Sequence, residues 1–112
     1  PFSPIEQQQA AFIRKLEAVI MEQLNNAAFS IPQLTESCQM SQTQVYRKLK
    51  ALTGKTPSQF IRSIRLEKGK ELLENSALTV SEIAYEVAFT DPNYFSRTFQ
   101  QAFGVSPRNF RK

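Results

Sequence analysis

At 112 residues, with one cysteine and no histidine, the chain can bury one modest core, or two small ones sharing a connecting helix. That composition excludes disulfide frameworks, Cys/His zinc sites and any Ser-His or Cys-His catalytic pair. The formal charge is +4 and the pI near 9.5, a modest excess that gains meaning only along the chain. Residues 1–46 carry a net negative charge, whereas 47–70 hold eight bases against the single acid Glu67. Residues 71–96 have five acids and no base, and 97–112 have four bases and no acid. No apolar run approaches the length of a membrane span and no leader pattern is present, which predicts a soluble, cytoplasmic domain without membrane contact. The start on Pro1 suggests a piece of something longer.

Phe12, Ile13, Leu16, Val19, Ile20 and Leu24 recur at helical spacing, predicting an amphipathic helix over 4–25 that caps the core of the first repeat. Ser30 and Ser41 are placed to cap two short helices, so that 30–54 reads as a helix-turn-helix. Val45, Leu49 and Leu52 are its inward residues. Gln42, Thr43, Tyr46, Arg47 and Lys50 are left outward, a set suited to base edges and phosphates. Cys38 falls on the apolar stripe and is expected to be buried as a small hydrophobe.

Gly54 can end that helix in the left-handed conformation, and Thr56-Pro57 restarts the chain. A connecting helix over 57–75 would be about 28 Å long at 1.5 Å per residue, near the roughly 34 Å between successive major grooves on one DNA face. Its apolar residues include Phe60, Ile61, Ile64, Leu66, Leu72 and Leu73. Arg62, Arg65, Lys68 and Lys70 remain for solvent, acids or phosphates.

The pattern then repeats over 79–104, with a last short helix in 106–112. Arg47 matches Arg97, Leu49 matches Phe99, Gly54 matches Gly104, Pro57 matches Pro107 and Phe60 matches Phe110, all at an offset of 50. Before the second helix of each copy the offset is 49, so the second turn holds one extra residue. Phe95, Phe99 and Phe103 form a stripe expected in the core, which leaves Asn93, Tyr94, Ser96, Arg97 and Gln100 exposed. A duplicated helix-turn-helix whose second helices open basic blocks is a device for reading duplex DNA twice. The recognition helices are 41–53 and 91–103.

The run Val80 to Arg111, with its Ala-Phe-Thr-Asp-Pro-Asn-Tyr-Phe-Ser-Arg core and Gly-Val-Ser-Pro, resembles the second helix-turn-helix signature of the AraC/XylS transcription regulators. Ser41 to Leu73, with Tyr-Arg-Lys-Leu-Lys, Gly-Lys-Thr-Pro and Ile-Arg-Leu, resembles their first recognition helix and connecting helix. The resemblance implies an all-α domain of about seven helices, two helix-turn-helix subdomains joined by a long connecting helix, with no cofactor. Base or phosphate contacts carry over to Thr43, Tyr46 and Arg47 in the first unit, and to Pro92, Asn93, Tyr94 and Arg97 in the second. The run from Gln44 to Ser58 is similar to the output domains of hybrid two-component regulators, which implies a receiver and a sensor kinase upstream. RNA polymerase contact, and dimerisation through regions outside this chain, are further implications. The alternative is a helical protein-interaction module; an enzyme is disfavoured, since Glu82 and Glu86 lack the companions of a catalytic site.

Gln39 and Ala88 stand where the family often has Gly, Thr35 replaces a small Ala, and Gly69 sits mid-helix where Ala is commoner. If Gln39 is left-handed it costs roughly 1–2 kcal/mol, which would make the first unit the softer one.

Overall fold

In a computed structural model, which describes Ser3–Lys112, the chain forms seven helices and, among the described residues, no strand. These are α1 (Pro4–Glu22), α2 (Ile31–Ser37), α3 (Gln42–Thr53), α4 (Pro57–Asn75), α5 (Val80–Glu86), α6 (Pro92–Phe103) and α7 (Pro107–Arg111). They divide into two compact units. The first holds α1, α2, α3 and the start of α4 as far as Arg62; the second holds Leu24–Ala27 and Ser63–Lys112.

Most of the helix starts expected from the capping residues are present as side-chain hydrogen bonds, and Ser3 adds one at α1. Ser30, expected to cap α2, makes no side-chain cap bond, and its backbone N–H donates to Gln33 at 2.8 Å. Ser3, Ser41, Thr56, Thr79 and Ser106 each accept, through the side-chain hydroxyl, the backbone N–H three residues on. Asp91 accepts from the Asn93 N–H at 2.9 Å. Each such bond satisfies a donor that the helix itself leaves without a partner, an arrangement worth about 1 kcal/mol against Ala. Gln33, Gln44, Gln59 and Glu82 reach back to the N–H of the residue that opens their helix, which at Ser41, Thr56 and Thr79 completes the reciprocal pattern.

Glu82 is the one carboxylate in that set. The Thr79 backbone N–H, and after it the Thr79 hydroxyl, hold its pKa below the usual glutamate range. A group whose folded pKa is depressed stabilises the fold above its unfolded pKa, and that contribution disappears as the pH falls through the folded value. Glu82→Gln, which keeps the acceptor oxygen without the charge, should therefore flatten the acid limb of a thermal-melt pH series below the ordinary glutamate pKa, and an unchanged limb would refute the assignment.

In the first unit α1 lays Phe12, Leu16 and Ile20 inward, and α2 adds Leu34, α3 adds Val45 and Leu49, and α4 adds Phe60 and Ile61, all buried. α1 packs on α2 and α2 on α3. Thr35 is buried too, but its hydroxyl donates to the Pro32 carbonyl at 3.0 Å and so keeps a partner. α1 stops at Glu22, three residues before the expected end, and Leu24 packs against the core of the second unit. Cys38 is half-buried at the C-terminal end of α2, not enclosed in the core as its position on the stripe suggested. Leu52 is likewise only half-buried.

The second unit buries Leu66 and Leu73 of α4, Ile83 and Ala84 of α5, Val87 and Phe89 of the turn, and Phe95 and Phe99 of α6. Its aromatic rings form a chain of tilted and edge-to-face contacts: Phe89 to Phe95 at 5.2 Å, Phe95 to Phe99 at 5.8 Å, and Phe99 to Phe103 at 4.6 Å and to Phe110 at 5.8 Å. Such pairs add to the burial term. Gly69 has a packing reason that its place as a helix-weakening residue did not reveal. A Cβ built there would meet the Phe95 ring at 3.0 Å and Ile83 at 3.7 Å. Gly69→Leu should lower stability by about 1–3 kcal/mol through overpacking, read as a lower urea midpoint; an unchanged midpoint would mean that the ring can move aside.

Arg111 fastens α7 to the end of α4. Its guanidinium donates to the carbonyls of Leu73 and Leu72 in the last turn of α4 and of Ser76 and Leu78 just beyond it; the Leu72 carbonyl also accepts from Ser76. Lys70 lies over the Phe103 and Phe110 rings at 5.0 and 5.8 Å, Lys68 pairs with Glu71 at 3.1 Å, and Arg65 donates to the Asn26 carbonyl. Burial pulls the Arg65 pKa down from its ordinary value. Three of the four α4 cations left for solvent, acids or phosphates are thus engaged within the second unit.

Gln39 is left-handed (φ 55°), and so is Ala88 (φ 65°). The strain is therefore present in both turns and does not single out the first unit. Four residues separate α2 from α3 and five separate α5 from α6, which locates the extra residue after the left-handed position, at Thr90. Ala88→Gly relieves the left-handed cost of roughly 1–2 kcal/mol but gains unfolded-chain entropy, so the expected outcome is a stabilisation of up to about 1 kcal/mol in chemical denaturation; destabilisation would contradict it.

Candidate nucleic-acid interface

Both second helices are built alike: one face sealed into a unit, the other turned to water. In α3, Val45 and Leu49 are fully buried, one turn apart. The remaining positions follow from helical geometry, so that Gln42, Thr43, Tyr46, Arg47 and Lys50 are all exposed. Tyr46 keeps 47% of its surface. In α6, Phe95 and Phe99 are fully buried and Thr98 nearly so, its hydroxyl donating to the Tyr94 and Phe95 carbonyls. Asn93, Tyr94, Arg97 and Gln100 are exposed, whereas Pro92 and Ser96 are half-buried. Gly54 (φ 75°) and Gly104 (φ 79°) end the two helices in the left-handed conformation.

The exposed residues are not equivalent. Lys50 Nζ donates to the Gly54 carbonyl at 3.0 Å, so its charge sits at the C-terminal end of its own helix, where a cation is favoured. Lys48, which the sequence did not single out, lies 4.5 Å from the Phe12 ring centroid and ties α3 to α1. Gln44, also exposed, is held by the cap at Ser41. Arg97 is carried on the Tyr94 ring, its guanidinium carbon 6.0 Å from the centroid. Phe89, in the turn before α6, stands 5.7 Å from that same ring.

Among the described residues no group of three or more His, Cys, Asp or Glu could hold a metal ion, and no helix is long and apolar enough to cross a membrane. Each unit instead offers an α-helix with hydrogen-bonding and cationic side chains on the face opposite its core, which fits the width of a B-DNA major groove.

The fold and these two faces define a DNA-binding domain of transcription regulators, a duplicated helix-turn-helix. The chain belongs to the AraC-type helix-turn-helix family: the family profile described as Helix-turn-helix domain matches residues 34–112. It is 32% identical over 99 residues to Histidine kinase P4 of Formosa agariphila, an overlap covering 88% of this chain and 7% of that protein. It is 38% identical over 79 residues to HTH-type transcriptional activator RhaS of Escherichia coli, covering 70% of this chain and 28% of that protein. Thus it spans less than a third of the length of either relative. Its fold superposes on the DNA-binding domain of AdpA, described as a global transcriptional factor and solved in complex with a target DNA, with a TM-score of 0.78 and 28% identity over 88% of each chain.

Proposed function

We propose that this domain reads a bipartite duplex site by placing α3 and α6 in successive major grooves, and that it is the output module of a larger, signal-responsive bacterial regulator. The observation that carries the reading is the repetition of one design: each unit seals one face of its second helix and leaves an arginine, a tyrosine and amide or hydroxyl side chains on the other. On this reading Arg47 and Arg97 contact guanine edges or phosphates, Asn93 and Gln42 supply amides for adenine or backbone, and Thr43, Tyr46, Pro92 and Tyr94 line the contact. Lys50, held at the helix end by Gly54, serves as a phosphate grip. Residues 1–112 act together as one DNA-binding domain.

The histidine-kinase relative supports a two-component parent, with a receiver and a sensor kinase elsewhere in the chain. The AdpA complex supports duplex DNA as the ligand. A cytoplasmic location, contact with RNA polymerase, and dimerisation through regions outside this domain complete the proposal.

Titration of a labelled duplex selected by the domain, across a salt series, tests it. Each phosphate neutralised by a cation steepens the dependence of log affinity on log salt by about 0.9. An arginine that grips phosphate should, when replaced by Ala, weaken binding to all sequences and reduce that slope by about one. One that reads a base should relax preference at a single base pair. Normal affinity, slope and preference in both Arg47→Ala and Arg97→Ala would overturn the site.

A further inference from the structure

We propose that Tyr94 is a positioning residue for Arg97, and that the two recognition helices consequently hold their arginines to unequal degrees. Phe89 is buried and packs 5.2 Å from Phe95, whose side chain is fully enclosed. Phe89 also stands 5.7 Å from the Tyr94 ring, tilted at 46°, so one edge of an otherwise exposed aromatic is anchored to the core of the second unit. The ring then faces the Arg97 guanidinium at 6.0 Å, three residues further along the same helix. A planar cation above a ring face is attracted by its quadrupole, and Arg stacks in this way more readily than Lys. The core thus reaches the reading side chain through two rings.

The first unit lacks this support. The position equivalent to Tyr94 is Gln44, whose amide oxygen is engaged by the Ser41 N–H at 2.9 Å. The residue equivalent to Phe89 in the preceding turn is Met40, which is only half-buried. Among the described residues no ring lies against Arg47, which is exposed. Arg97 therefore enters a groove with part of its rotamer freedom already spent, whereas Arg47 must be ordered by the DNA itself. Preorganisation of this kind narrows the base preference at the position read.

This inference rests on Arg97 contacting DNA, so the test separates the two claims. The 112-residue chain is titrated against a duplex carrying the sequence it selects from a random pool, in a cycle of wild type, Arg97→Ala, Tyr94→Gln and both together. Tyr94→Gln installs the residue that the first unit uses. The expected result is a cost for Tyr94→Gln about 2–5-fold larger when Arg97 is present than in the Arg97→Ala background, the size of a cation–ring contact at an exposed site. Tyr94→Phe, which keeps the ring, restores the coupling. Preference relaxes in Tyr94→Gln at the base pair that Arg97→Ala affects, and stays intact at the one that Arg47→Ala affects. Equal cost in both backgrounds overturns the positioning role while leaving the DNA site standing. No effect of Arg97→Ala overturns both.

Discussion

Phe99→Ala is expected to destabilise the second unit by about 3–5 kcal/mol, the range for truncating a buried aromatic. Phe99 is fully enclosed and sits at the junction of the aromatic chain, 5.8 Å from Phe95, 4.6 Å from Phe103 and 5.8 Å from Phe110. Its removal takes away the partner of three rings at once and loosens the seat of α7. The first unit has its own buried set, from Phe12 and Leu16 to Val45 and Leu49, and contributes none of those contacts. Circular dichroism during urea unfolding should therefore show an early transition confined to part of the helical signal, ahead of the rest. A change below about 1 kcal/mol would mean that the core closes over the gap.

Arg97→Ala has the largest expected effect on binding. A bidentate arginine on guanine is worth about 1–3 kcal/mol of discrimination, roughly 5- to 150-fold between matched and mismatched sites. Because Arg97 is exposed and its guanidinium rests on the Tyr94 ring at the surface of α6, its loss should leave the unfolding midpoint almost unchanged. Competition titrations with matched and single-substituted duplexes check this. Loss of affinity with unchanged discrimination would assign the residue to a phosphate.

The architecture was legible because it depends on local signals that occur twice. Ser41 and Thr79 at helix starts, Gly54 and Gly104 at stops and Pro57 and Pro107 at restarts act through the backbone conformation of their own segments, and the helices fall where those signals put them. The exposed faces came from the same periodicity, since fixing Val45 and Leu49 inward leaves Tyr46, Arg47 and Lys50 outward. What the pattern does not encode is the partner a long side chain chooses. Arg111 reads as one more base in a basic block, yet it is spent on four backbone carbonyls. Lys70, expected to face solvent, acids or phosphates, lies over two rings. Gly69 looked like a weak point in a helix because the ring that needs its missing Cβ lies 26 positions away along the chain. Leu24 continues the α1 periodicity but lies beyond the helix end, where the chain turns and offers it to the second core.

Cation use also divides the molecule. In the second unit Arg65, Lys68, Lys70 and Arg111 are engaged by protein groups, whereas Arg97, Arg108 and Lys112 are exposed, with the neutral Asn93, Tyr94 and Gln100 exposed beside Arg97 on α6. The first unit keeps Arg47 and Lys55 exposed. Affinity through phosphates and reading through base edges respond differently to salt, so Arg47→Ala and Arg97→Ala should separate in their salt slopes.

Selection from a random duplex pool, with sequencing of the bound fraction, tests two-groove reading most directly. Two enriched half-sites about 10 bp apart are expected, one per recognition helix, with Arg97→Ala erasing information in one half-site and Arg47→Ala in the other. A single enriched half-site that both substitutions degrade alike would contradict two-groove reading.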